Sequence, residues 1–149
     1  DREYKPSIIE YNLMHTQYFM SKKTEVFNLS FEKLLSDDFI NSLTNKDYVY
    51  LDPPYFGTKA SYNKGWKKEH EYLLLDTIDK LHEKGIKFGL SNIFKNKHEV
   101  NQHLIDWAEK NNYIVTYPSV IYAYGGNGDS ESQEVFITNT YNNYQQSLF

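Results

Sequence analysis

The sequence predicts an α/β fold with a mostly parallel sheet and an antiparallel hairpin at its C-terminal end. Between residues 48 and 117, short apolar runs alternate with two amphipathic helical patterns, and strands that alternate with helices pair in parallel. Two further strand-like runs, 120–124 and 134–138, flank Gly125-Gly126-Asn127-Gly128. A glycine cluster between two such runs is typical of a hairpin turn.

The first predicted elements surround a strand over residues 48–51. Residues 25–29 have the pattern of a short strand, and Ser30 is placed to cap a helix from residue 31 to about 35. Tyr48-Val49-Tyr50-Leu51 is a continuous apolar run. Such a run predicts a strand that is buried on both faces.

Two helices and two more strands complete the parallel part. Leu74, Ile78 and Leu81 recur at helical spacing within residues 69–83, and Gly85 is expected to end that helix. The remaining predicted elements are a strand over 86–90 ending in a turn at Ser91-Asn92, a helix carrying Val100, Leu104, Trp107 and Ala108 that ends at Asn111-Asn112, and a strand over 113–117.

Length and composition narrow the class of protein. The 149 residues suffice for one domain with a genuine core. No apolar run approaches eighteen residues, so we expect no membrane span. The chain has no cysteine, which excludes disulfides and thiolate metal sites and fits a cytoplasmic protein. No metal site is predicted, because the histidines lack ligand spacing with carboxylates: residues 15, 70, 82, 98 and 103.

Asp52-Pro53-Pro54-Tyr55 follows the predicted strand 48–51 directly. In open α/β sheets, ligands bind outside the carboxyl ends of the strands. Asp52 is held extended because a proline follows it, and the two prolines have fixed φ angles and no N–H. The result is a stiff turn that presents a carboxylate, carbonyl oxygens and an aromatic ring. That combination suits a planar heterocycle with an exocyclic amino group.

Asp52-Pro53-Pro54-Tyr55 resembles the catalytic motif of amino-group DNA methyltransferases that use S-adenosylmethionine. The surrounding sequence narrows the resemblance to the Dam-like, D12 class of adenine-specific enzymes. Asn28-Leu29-Ser30-Phe31 resembles their segment beside the cofactor's adenine, Gly89-Leu90-Ser91-Asn92 their next strand end, and residues 134–139 their closing strand. The resemblance covers roughly residues 25 to 140, and it implies a partial Rossmann-like methyltransferase sheet.

The resemblance also implies an activity and residue roles. The activity is methyl transfer from S-adenosylmethionine to the exocyclic amino group of a flipped adenine in duplex DNA, as part of a restriction–modification system. The motif residues Asp52, Pro53, Pro54 and Tyr55 are the implied catalytic residues. Ser30 and Phe31, together with Asp52, are the implied contacts to the cofactor.

Basic and aromatic residues follow the motif closely. The net charge of −4 argues against a broad electrostatic grip on DNA, but Lys59, Lys64, Lys67 and Lys68 crowd the residues after Tyr55. Positive charge interleaved with aromatic rings is typical of a surface that follows a nucleic-acid strand, and a plain solvated loop explains the same residues. The predicted substrate contacts are Tyr55, Phe56, Lys59, Tyr62, Lys64 and Trp66.

One expected feature of the family does not occur in this sequence. The glycine-rich loop that ends the family's first strand is missing, and the chain begins at Asp1. We therefore expect the C-terminal part of a methyltransferase, inactive on its own, with a connector over 1–24, the catalytic half over 25–140 and a flexible tail over 141–149. Its expected partners are double-stranded DNA and the missing N-terminal half or a second chain, with no membrane.

Two alternatives stay open on the sequence alone. One is an amino methyltransferase that acts on cytosine, RNA or a protein glutamine. The family pattern makes this alternative less favoured, because Asp52, and not Ser or Asn, precedes Pro53-Pro54-Tyr55. The other is a non-catalytic half-domain that binds DNA or a partner chain, which the missing glycine loop favours for this segment.

Overall fold

The computed structural model describes residues 13–18, 24–55, 65–97, 99–118 and 132–140. The chain forms two compact units, Asp1–Leu34 and Leu35–Phe149. In the first unit, residues 13–18 are helical and helix α1 covers Phe31–Leu34. The predicted start of α1 after Ser30 is confirmed.

The strand predicted over residues 25–29 is wrong. Residues 24–30 form neither helix nor strand, and the side chains of Val26, Phe27 and Leu29 are 75%, 54% and 53% exposed. A strand needs a hydrogen-bonded neighbour, and none of the strand pairings among the described residues involves this segment. Residues 25–29 thus have a composition typical of a strand, but no described strand pairs with them.

The second unit alternates helices with strands, which confirms the α/β class. Its elements in chain order are α2 (Asp37–Ser42), β1 (Tyr48–Leu51), α3 (Lys68–Glu83), β2 (Lys87–Lys95), α4 (Gln102–Lys110), β3 (Ile114–Thr116) and β4 (Gln133–Thr138). Strand β2 ends five residues later than predicted, while β1, α3 and β4 match the predicted ranges within one residue. No helix in the described part of the chain is long and apolar enough to cross a membrane.

The four described strands form one sheet in the order β1-β2-β4-β3. Strands β1 and β2 are parallel, with Leu51 opposite Leu90. Strand β4 is antiparallel to both β2 and β3, so it lies between two strands and not at the predicted edge. Two of the three pairings among the described strands are therefore antiparallel, whereas the sequence predicted a mostly parallel sheet. Val135 and Ile137, which alternate along β4, are buried. Their burial is consistent with a strand that has a neighbour on each side. The predicted strand 120–124 and its glycine turn lie outside the described residues.

The helices cover one face of the sheet. Helices α3 and α4 both contact β2, and strand alternation puts Leu51, Phe88, Leu90, Val135 and Ile137 on one face. All five are buried, together with helix residues Leu74, Leu75, Ile78, Leu81, Leu104 and Trp107. The apolar stripe predicted for α3 is therefore confirmed as the main helical contribution to the core.

Strand β1 is buried on only one face, contrary to the prediction. Val49 packs against the cluster around Leu81 and Leu51 is buried, but Tyr48 and Tyr50 are 51% and 58% exposed. A tyrosine ring is apolar but carries a polar tip. The Tyr50 hydroxyl uses that tip in a 2.8 Å hydrogen bond with the Ser91 hydroxyl. Counting both tyrosines as core residues caused the error.

Both long helices end in the same left-handed motif. In α3, the Gly85 amide donates to the His82 carbonyl at 2.8 Å and the Ile86 amide donates to the Leu81 carbonyl at 2.9 Å. Gly85 has φ 76°, a conformation that glycine adopts without steric cost. Helix α4 ends likewise at Asn112, with φ 54°. Both predicted helix ends are confirmed, and each leads directly into the next strand.

Replacing Gly85 with alanine is expected to lower the free energy of unfolding by about 1–2 kcal/mol, because an L residue in the left-handed region is strained. Gly65→Ala is the matched control. Gly65 lies outside the left-handed region, and an added Cβ there meets no atom within 4 Å. Urea unfolding at a common m-value would measure both variants. Equal losses in the two variants would contradict the assigned role of Gly85.

Candidate active site

The motif residues form a stiff corner at the carboxyl end of β1. Asp52, Pro53, Pro54 and Tyr55 line an open cleft of about 290 Å³. Asp52 is exposed, and the other three side chains are half-buried. The structure therefore places all four predicted catalytic residues on one concave surface, immediately after the buried residue Leu51.

The chemistry of this corner is that of hydrogen-bond acceptors. Pro53 and Pro54 have no N–H to donate, so their backbone offers only carbonyl oxygens, and an ionised Asp52 also only accepts. The cleft is close to the lower end, about 300 Å³, of the volumes found for small-molecule sites. A planar group of the size of a nucleobase that carries an amino group is a suitable ligand.

Strand β2 passes beside this corner and continues beyond it. Ser91 and Asn92, predicted as a strand-ending turn, lie inside β2. The prediction is wrong because β4 continues to pair with β2 as far as Lys95, well past the point where β1 ends. The hydrogen bond between the Tyr50 and Ser91 hydroxyls links β1 to β2 through side chains, in addition to the backbone hydrogen bonds between the strands.

A buried carboxylate on α3 connects several segments near this edge of the sheet. Glu71 is only 2% exposed. Its Oε1 accepts hydrogen bonds from the side-chain amides of Asn92 at 3.2 Å and Asn101 at 3.1 Å, and its Oε2 accepts one from the Trp66 indole N–H at 2.9 Å. Glu71 was not among the site residues predicted from the sequence. The available signal was an acid in the same helical stripe as Leu74, which is three residues further along α3.

A second, smaller cleft adjoins Glu71. It has a volume of about 130 Å³ and is lined by Lys68, Glu71, Glu99, Val100, Asn101, Gln102 and His103. Burial lowers the pKa of His103, whose ring meets the Tyr72 ring edge-on at a centroid distance of 4.0 Å. A hydrogen bond with Tyr72 raises the pKa of Lys68.

Comparison with known proteins decides the family. Residues 3–117 match the model of the D12 class N6 adenine-specific DNA methyltransferases. This chain belongs to that family. The match includes the corner at residues 52–55 and most of the sheet, so the resemblance inferred from the motif is confirmed.

The D12-class chain is also similar to curated modification enzymes. It is 43% identical over 110 residues to "Modification methylase StsI" from Streptococcus sanguinis, which covers 68% of this chain and 17% of the relative. It is 37% identical over 132 residues to "Type II methyltransferase M.FokI" from Planomicrobium okeanokoites, which covers 85% of this chain and 18% of the relative. "Modification methylase LlaI" from Lactococcus lactis subsp. lactis is 29% identical over 112 residues, which covers 71% of this chain and 17% of that protein. The D12-class chain thus spans less than a fifth of the length of these relatives.

Trp66 is the described member of the predicted substrate-contacting segment after Tyr55. Its ring stacks on His70 with a centroid distance of 5.5 Å, in addition to the hydrogen bond with Glu71. A direct contact between Trp66 and the substrate stays a prediction. The other predicted substrate contacts after the motif lie outside the described residues: Phe56, Lys59, Tyr62 and Lys64.

The two other predicted cofactor contacts of the D12-class chain lie in the first compact unit. The Ser30 carbonyl accepts backbone hydrogen bonds from Lys33 at 3.1 Å and Leu34 at 3.0 Å, and the half-buried Phe31 follows as the first residue of α1. Asp52 belongs to the second unit. Within the described ranges, no cluster of three or more His, Cys, Asp or Glu residues could hold a metal ion.

Proposed function

We propose that this chain is the part of a longer DNA methyltransferase that holds the target base. The complete enzyme transfers a methyl group from S-adenosylmethionine to the exocyclic amino group of a flipped adenine in duplex DNA. The observation that carries the proposal is the corner at residues 52–55, where the Asp52 carboxylate and the proline carbonyls offer hydrogen-bond acceptors in a cleft of about 290 Å³ at the end of β1. The relatives' names, which are those of modification methylases, favour a role in a restriction–modification system.

Asp52 and Pro53 are the residues that would act on the amino group. The lone pair of an adenine amino group is delocalised into the ring, which makes the nitrogen a poor nucleophile. The bound cofactor supplies an electrophilic methyl group on a positively charged sulfur. We propose that the Asp52 carboxylate accepts one amino hydrogen and the Pro53 carbonyl accepts the other. Two fixed acceptors favour tetrahedral nitrogen, and the negative charge of Asp52 stabilises positive charge that develops there.

Tyr55 and the residues after it would hold the extruded base and its strand. Flipping a base out of the duplex costs about a few kcal/mol, and stacking on an aromatic ring returns about 1–3 kcal/mol per base. We assign that stacking to Tyr55, and we propose Phe56 as a further contact to the base. Lys59, Tyr62, Lys64 and Trp66 are the proposed contacts to the neighbouring nucleotides.

Ser30, Phe31 and Asp52 are the proposed contacts to the cofactor. The half-buried ring of Phe31 offers an apolar surface, and the exposed Ser30 offers a hydroxyl. These groups fit the face and the edge of an adenine. We propose that Asp52 contacts the cofactor near its methyl group, because Asp52 is exposed in the cleft where we place the target amino group.

The open side of the sheet supports a larger Rossmann-like domain. Among the described strands, β1 has β2 as its single neighbour, and β1, α3 and β2 form one parallel crossover unit. Tyr48 and Tyr50 are exposed on the face opposite α3. We propose that further strands and helices of the complete enzyme cover this edge and face. In this view residues 1–24 are a connector, 25–140 the catalytic half and 141–149 a tail.

Methyl transfer to plasmid DNA that carries no methylated bases would test the proposed function. The complete methylase that carries this chain is incubated with labelled S-adenosylmethionine, and the DNA is digested to nucleosides and analysed by mass spectrometry. We expect N6-methyladenine from the complete enzyme and no product from the isolated chain. Label in cytosine alone would overturn the proposal, as would methylation of RNA or protein in parallel reactions that leave DNA unlabelled, and DNA binding without any transfer would favour the non-catalytic half-domain.

A further inference from the structure

Helix α3 carries two acidic side chains that each accept an indole N–H. Glu71 accepts from Trp66 near the start of the helix. Asp79 accepts from the Trp107 indole at 2.9 Å and from the Tyr113 hydroxyl at 3.0 Å. The two acids are eight positions apart, which corresponds to about 12 Å along the helix axis. The two sites have the same chemistry at two different places on one element.

Among the described residues, the three donors to Glu71 come from three different segments. Trp66 precedes α3, Asn92 lies in β2, and Asn101 is the N-cap residue of α4. All three donors are neutral side chains, and the carboxylate that accepts from them is almost completely buried. Buried polar groups hold their geometry well when every member is hydrogen-bonded. Glu71 therefore ties these segments to one point.

Asn92, one of the donors to Glu71, lies close along the strand direction to the end of β1, where the proposed catalytic corner begins. Leu51, the last residue of β1, pairs with Leu90, so Asn92 lies about 7 Å further along β2. If β1 continued in register, Pro53 would lie opposite Asn92. Trp66 lies eleven residues after Tyr55, within the basic and aromatic segment that follows the motif.

We propose that Glu71 is a positioning residue of the methyl-transfer site, which fixes Trp66 relative to Asn92 and thereby orders the site around the Asp52 corner. This inference rests on the proposed function. Glu71 acts through its hydrogen-bond donors and does not itself contact the base or the cofactor. Its contribution is the geometry in which the amino group meets its two acceptors.

The Glu71→Gln variant is an informative test because the side-chain amides of Asn92 and Asn101 cannot flip without losing other hydrogen bonds. The Asn92 Oδ1 accepts from the Ile93 amide at 2.8 Å, and the Asn101 Oδ1 accepts from the Leu104 amide at 3.3 Å. Both asparagines therefore present their NH₂ groups to residue 71. In Glu71→Gln, the new amide NH₂ faces a donor in either orientation, against Trp66 or against the two asparagines.

The experiment compares Glu71→Gln with Asp79→Asn, the same chemical change at the other indole site on α3. In the ¹⁵N-labelled chain, Glu71→Gln is expected to shift the Trp66 indole N–H resonance, and Asp79→Asn is expected to shift that of Trp107.

In the complete methylase, we expect Glu71→Gln to lower kcat for adenine methylation by about 10- to 100-fold with little change in KM for DNA, since misplacement of reacting groups by about 1 Å has effects of this size. Asp79→Asn is expected to leave kcat unchanged.

A double variant tests whether Glu71 acts through Trp66. Trp66→Phe removes the indole N–H, so the glutamine NH₂ no longer faces a donor there. We expect Glu71→Gln to reduce kcat much less in the Trp66→Phe background than in the unaltered enzyme. An equal reduction in both backgrounds, or a normal kcat in the single Glu71→Gln enzyme, would overturn this inference alone. Failure of the unaltered complete enzyme to methylate adenine would overturn the proposed function as well.

Discussion

Replacing Asp52 with alanine is expected to slow adenine methylation by the complete methylase by about 100- to 1,000-fold, the range for loss of one preorganised electrostatic contact. Asp52 supplies the only charged acceptor among the described residues that line the cleft. Without it, the amino group keeps the Pro53 carbonyl as its single proposed acceptor, and the positive charge on nitrogen has no counterpart. Single-turnover transfer of a labelled methyl group to duplex DNA would measure the loss.

Two further variants separate charge from folding. Asp52→Asn keeps the size of the side chain but loses its charge, and we expect a loss of rate similar to that of alanine. Asp38→Asn makes the same change at an exposed position of α2, and we expect it to leave the rate unchanged. Because Asp52 is exposed, all three variants are expected to melt close to the unaltered protein. Methylation by Asp52→Ala at the unaltered rate would remove the basis of the proposed mechanism.

Replacing Phe88 with alanine is expected to lower the free energy of unfolding by about 3–5 kcal/mol. Phe88 has no exposed surface, and its ring meets Tyr113 edge-on at a centroid distance of 5.1 Å and Trp107 at 6.5 Å. The truncation leaves a cavity where β2, α4 and the start of β3 meet. Whole domains are stable by about 5–15 kcal/mol, so this one change removes a large share of the total. Urea unfolding followed by tryptophan fluorescence would measure it.

Phe39 provides the matched control for this truncation. It lies on α2 and is 37% exposed, so less of its ring is removed from water on folding. We expect Phe39→Ala to lower the free energy of unfolding by about 1 kcal/mol, in proportion to the smaller buried apolar area. A loss for Phe39→Ala as large as that for Phe88→Ala would show that the sheet face covered by α3 and α4 is not the centre of the core.

The parts of the fold that local patterns control were predictable. The stripe formed by Leu74, Ile78 and Leu81 defines α3, and Gly85 ends it through hydrogen bonds within six neighbouring residues. The length of β2 and the interior position of β4 depend on pairing between residues at least twenty positions apart, such as Thr116 and Phe136, or Ser91 and Phe136. Local composition does not contain that information.

The same distinction applies to the candidate site. Residues 52–55 are contiguous, so the sequence alone assembles the acceptor corner. The Glu71 network joins Trp66, Asn92 and Asn101 from separate elements, and their proximity follows from packing of α3 and α4 on β2. An acid within an apolar stripe was the only local sign of it.

The lack of N–H groups at Pro53 and Pro54 has a consequence for base selection. Guanine, thymine and hypoxanthine present a carbonyl oxygen where adenine presents its amino group, so an oxygen placed between Asp52 and the Pro53 carbonyl would meet lone pairs on both sides. In the proposed mechanism, the same corner would therefore reject a deaminated adenine. Cytosine carries the corresponding amino group and would pass this filter, so the two prolines do not account for a choice of adenine over cytosine.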